Sequence, residues 1–168
     1  MTDGTMTART VLTPRVAAAG LVVVTAYAAL AALQIFVLNP LAAVPGASLS
    51  AVYAEMDAVG ETMPVAMPAV VLGIGVVAAV VVAVLSIRSR LEPAHSALLF
   101  LLLLVFGTPG YFVASFGPGM NLADTFMISG ADYSRWSLVL YAVSMAAVVA
   151  VVVLVTRLAL RRPAVVKG

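Results

Sequence analysis

Four apolar runs constrain this chain more than any other feature. Val16–Leu38, Val65–Ile87, Ala94–Phe116 and Trp136–Leu160 each exceed the roughly 18 residues at which an apolar stretch reads as a transmembrane helix. At about 1.5 Å per residue, each reaches about 35 Å, enough to cross a ~30 Å hydrocarbon layer with modest tilt. The first three contain no ionisable residue except His95 at an edge, and Arg157 stands in the last turn of the fourth. Only 10% of the residues are charged, where a soluble domain carries about a quarter. Lipid supplies no partner for backbone N–H and C=O groups, so runs of this length must close their hydrogen bonds internally as helices. The expected fold is all-α: an integral membrane four-helix bundle forming one membrane domain over residues 1–168.

Charge sets the expected orientation. Arg9, Arg15, Arg88, Arg90, Arg157, Arg161, Arg162 and Lys167 fall on one side of the four spans, and only Arg135 on the other. Excess basic residues mark the cytoplasmic side, which predicts an N-in/C-in protein of a bacterial-type cell membrane. The first run is longer than the about 7–15 residues of a signal-peptide core and is read as a span. Topology accounts for the basic residues, so the net charge of +2 implies no nucleic-acid partner. The expected surroundings are the bilayer itself and a membrane-protein partner or further copies of the chain.

Between the first two spans, residues 40–63 form an outer segment with its own pattern. Leu49, Val52, Tyr53, Met56 and Val59 share one face of a helical wheel, while Ser50, Glu55 and Asp57 fall elsewhere. Ser48 suits the start and Gly60 the left-handed position after the end, predicting a short amphipathic helix. A second outer segment, residues 117–135, is expected to begin with a stop at Gly117-Pro118-Gly119. There Asn121 would cap a short turn, and Asp132 or Ser134 the fourth span. Residues 1–13 read as disordered, Pro14 as a helix start, and Asn39-Pro40 as the end of span one. Small residues at multiples of four offer close-packing faces: Gly20, Ala28 and Ala32; Gly75, Ala79 and Ala83; Ala142, Ala146 and Ala150. The bulk of Phe100, Phe106, Tyr111, Phe112 and Phe116 makes span three the expected centre of the packing.

Two sets of residues are candidates for function. Gly107, Thr108, Pro109 and Gly110 interrupt span three near its middle, and Pro109 leaves the Val105 carbonyl without its helical donor. They read first as a packing kink that fits a bulky helix against smooth neighbours and, with Gln34, the amide of span one, as the place for a hinge or a mid-membrane cavity. Glu55, Asp57, Glu61, Asp124 and Asp132 form the second set, an outer acidic patch if the two outer segments meet. Catalysis and cofactors are not expected. There is no cysteine for a disulfide or thiolate ligand, His95 stands alone, and no paired His or Glu-x-x-His spacing offers a metal site. Proton-coupled transport usually uses an ionisable group inside the membrane, and the span cores contain none. The leading expectation is a non-enzymatic accessory or interaction protein. A carrier or channel using the span-three break is the alternative, and an enzyme acting on lipid comes third.

Overall fold

The computed structural model describes residues 3–160, with side chains from residue 12. The Arg9 side chain and Arg161, Arg162 and Lys167 therefore lie outside the described residues. The described chain is helical, in the order α1 (Asp3–Leu33), a π-helical turn (Gln34–Leu38), α2 (Asn39–Ala43), α3 (Leu49–Ala58), α4 (Ala66–Arg88), α5 (Pro93–Val105), α6 (Gly107–Phe126) and α7 (Trp136–Leu160). These form four rods long and apolar enough to cross a membrane: Leu12–Ala43, Ala66–Arg88, Pro93–Phe126 and Trp136–Leu160. Their outward side chains are mostly aliphatic, with Val22 65% and Ile74 64% exposed. Water would penalise that surface and hydrocarbon does not.

Successive rods run in opposite directions. One end of the bundle, the capped end, carries α3 and residues 127–135. At the opposite end, α4 turns into α5 through Ser89–Glu92. There Arg90 adopts a left-handed φ of 48°, and the Arg90 and Leu91 amides close onto the Ile87 and Ser86 carbonyls. This pairing satisfies the orphan carbonyls of a helix end. The Ser96 hydroxyl donates to Ser86 at 2.9 Å across the hairpin, and Thr13 donates to the Leu91 carbonyl at 2.8 Å.

Several expectations change. The helix of span one starts at Asp3, so Pro14 is inside it and residues 3–13 are helical. Span three does pack against all three other rods, through α5 on α1, α4 and α7 and through α6 on α4 and α7, though not with all of its bulk. Phe106 and Phe112 are 68% and 63% exposed, because in lipid an aromatic ring gains little by turning inward. Asn39-Pro40 does not end span one. A single π turn carries the rod past Pro40 to Ala43, and the Phe36 carbonyl, four residues before Pro40, accepts the Tyr53 hydroxyl of α3. Gly117-Pro118-Gly119 is no stop either, since α6 runs through it to Phe126. Ala114, Pro118 and Leu122 bury one face at i, i+4 and i+8, and the glycines lie where Pro64 and Gly130 approach. Tertiary packing here overrides helix propensity. In span four, Ala142 and Ala146 face outward, and the buried seam is Ser137, Leu140, Ser144 and Ala147. Lipid leaves alanine neutral but penalises an unpaired hydroxyl, so the serines turn inward.

Candidate functional site

The break in span three is a helix restart. Helix α5 ends at Val105 and α6 begins at Gly107, with Phe106 as the joint. The first amides of a helix have no partner within it. The Thr108 amide donates instead to Ser144 Oγ of α7 at 3.1 Å, and Pro109 has no N–H to leave unpaired. Ser144 in turn lies 3.4 Å from the Tyr27 hydroxyl of α1. Gly107 makes room for that tyrosine, because a Cβ there would stand 2.7 Å from Tyr27 Cζ. The joint also redirects the rod: α5 packs on α1 and α7, and α6 mainly on α4. Beside Gly107, Pro109 and Gly110 lies a groove of about 470 Å³, lined chiefly by aliphatic side chains such as Val71, Leu72 and Ile74. Thr108 is not among its lining residues.

A second polar group lies nearer the capped end, and it joins one residue from each candidate set. Gln34 is fully buried on the π turn, on the same face of its rod as Tyr27 and Ala31. It lies beside the Tyr111 hydroxyl, yet neither of its amide atoms has a hydrogen-bond partner among the described residues. Tyr111, one residue past the break, is 1% exposed and donates to Asp132 Oδ1 at 2.7 Å. The Tyr141 hydroxyl of α7 donates to Asp132 Oδ2. The two tyrosine rings meet edge to face, with centroids 5.9 Å apart and planes at 69°. Asp132 itself stays exposed on the loop. Its carboxylate is thus clasped by one phenol on each oxygen, at the rim of a cavity of about 250 Å³.

Asn39 fixes the loop that carries Asp132. Its side-chain oxygen accepts the Tyr133 amide at 2.7 Å and the Ser134 amide at 3.4 Å. The π turn and Asn39 are consecutive, so the irregularity of span one aims Asn39 at that loop. Ser134 caps α7, accepting weakly from the Trp136 amide at 3.4 Å; Asp132 serves the tyrosines instead.

The rest of the outer acids are spread out. Glu55 and Asp57 are exposed on α3, Asp124 is exposed near the end of α6, and Glu61 follows Gly60 in the connection to α4. Among the described residues no three of Asp, Glu, His and Cys come together as a metal site. Asn121, assigned to a turn by its sequence, lies within α6 and donates from Nδ2 to the Thr62 carbonyl at 2.8 Å. At the opposite end His95 Nδ1 faces Glu92 Oε2 at 3.7 Å, with both side chains half-exposed.

Sequence reasoning named Gln34 and Asp132 but missed Tyr111, Tyr141 and Asn39. A signal existed in span one, where Tyr27, Ala31 and Gln34 stand at i, i+4 and i+7. Comparison with protein-family models, with curated proteins and with solved structures returns no match.

Proposed function

We propose that this chain is a multi-pass protein of a cytoplasmic membrane, with both termini inside, that acts as a non-enzymatic accessory or interaction protein through its capped end. Arg15, Arg88, Arg90 and Arg157 lie at the end opposite the cap, and the positive-inside rule assigns that end to the cytoplasm. The observation that carries the reading is how firmly the cap is tied down. Tyr53 anchors α3 to the Phe36 carbonyl, Asn121 holds the Thr62 carbonyl, and Asn39 holds the Tyr133 and Ser134 amides. The short helix α3 is amphipathic in this setting: Val52 and Met56 are buried with Leu122, while Glu55 and Asp57 face outward. A preorganised surface binds without first losing loop entropy. Its acidic exposed face suits a basic partner.

Carriage through the break is less favoured, because the groove beside it is apolar and the Thr108 amide is turned to Ser144. The test is affinity purification in mild detergent with cross-linking from position 54 on α3. A stoichiometric membrane partner, lost when Glu55 and Asp57 are both changed to Lys, is the expected result. Repeated recovery of the chain alone, with no phenotype from the charge reversal, would sink the proposal.

A further inference from the structure

The cavity at the capped end is lined by one carboxylate and four aromatic rings: Asp132 with Tyr111, Tyr141, Phe112 and Phe116. We propose that it binds a small organic ammonium group. The two phenols take one hydrogen bond on each Asp132 oxygen, and each oxygen keeps a further lone pair for the N–H of a primary ammonium or, without a hydrogen bond, for the charge of a quaternary one. Aromatic faces attract the same charge, most strongly where water is thin. Tyr111 and Tyr141 hold each other edge to face, and the Phe112 and Phe116 centroids lie 6.0 Å apart, so the rings are mutually positioned.

Other ligand classes fit poorly. Magnesium and calcium need about six to eight oxygen ligands, whereas Asp132 is the one carboxylate among the residues lining this cavity and no three acids or histidines gather among the described residues. An anion would meet the Asp132 charge. About 250 Å³ corresponds to roughly eight water volumes, the scale of a headgroup-sized cation. Glu55, Asp57, Glu61 and Asp124 stand at the same end and raise the local concentration of cations.

Gln34 supplies the remaining part. Its buried amide, unpartnered and beside the Tyr111 hydroxyl, is an alternative partner for that hydroxyl. An arriving ammonium group can then take over Asp132 Oδ1 without leaving a buried phenol unpaired. Phe112 and Phe116 are also exposed on the outer surface of α6, so the site is open both to a free amine and to an amine-bearing lipid headgroup.

Purified protein is titrated calorimetrically with choline, with ethanolamine and with the uncharged choline isostere 3,3-dimethylbutanol. In parallel, protein from nanodiscs of mixed phosphatidylethanolamine and phosphatidylglycerol is analysed by native mass spectrometry for retained lipid. Saturable binding of either free ammonium but not the isostere identifies a free amine as the ligand. Selective retention of phosphatidylethanolamine without free binding identifies the headgroup. In both cases Asp132→Asn, which removes the charge and keeps an acceptor oxygen for one of the two tyrosines, weakens binding at least about tenfold, the factor that roughly 1.4 kcal/mol represents. Phe112→Leu, which removes one exposed ring and no polar group, weakens it less, and unchanged thermal melting of that variant checks its fold. Equal binding of isostere and ammonium, indifference to both substitutions, or no binding with no lipid preference overturns the proposal.

Discussion

Gly107 and Tyr27 show how one missing methyl group sets the interior of the bundle. A Cβ at Gly107 would fall 2.7 Å from Tyr27 Cζ and 2.9 Å from its hydroxyl, and a rigid ring can yield only by moving the seam around it. Gly107→Ala is expected to cost about 1–3 kcal/mol, as overpacking does, and Tyr27→Leu in the same chain should recover much of it. Gly73 has nothing near it, so Gly73→Ala should leave thermal melting in detergent unchanged or raise it slightly. Tyr53 gives a residue-scale prediction with a pH signature. Burial raises its phenol above the usual value of about 10, because the charged form would lose water. In the unfolded chain the phenol ionises first as pH rises. The Tyr53 contribution is therefore complete below about pH 10 and falls as the pH climbs toward the folded value. Tyr53→Phe should lower stability by about 1 kcal/mol at neutral pH, and the melting curves of the two proteins should converge in alkali.

At the scale of elements, the restart between α5 and α6 depends on a neighbour for its first amide. Ser144→Ala leaves the Thr108 N–H unpaired inside the membrane and should cost about 1 kcal/mol. Faster hydrogen exchange of residues just after Phe106, with the termini of α5 unaffected, is the measurement that checks it. This element also marks the limit of what the sequence made legible. The four rods depend on summed hydropathy over some twenty residues, so no single contact could hide them. Pro40 and Gly117-Pro118-Gly119 misled because stop signals are local, while Tyr53 and the Leu122 cluster act from distant parts of the chain. The site was half visible for the same reason. An amide or a carboxylate in apolar surroundings stands out, whereas Tyr111 and Tyr141 read as bulk until the fold turns both hydroxyls onto Asp132.

At the scale of the molecule, the absence of cysteine allows sidedness to be read directly with single introduced thiols. Ala54→Cys on α3 and Ser89→Cys in the α4–α5 turn are both exposed positions at opposite ends. In intact cells an impermeant maleimide should label the first, and the second only after permeabilisation; labelling of both from one side would contradict four crossings. The π turn in span one has a further consequence for the whole rod. Each residue of an α-helix turns the chain by about 100°, so one inserted residue acts as a phase slip. Below it, span one faces α4 and α5; beyond it, Asn39 is indexed to the Tyr133–Ser134 loop. Wound as an uninterrupted α-helix, the same residues would carry Asn39 about 100° round the rod and off that loop, releasing Asp132 from its tyrosines; deleting Val37, which removes the extra residue itself, should leave Asn39 in place.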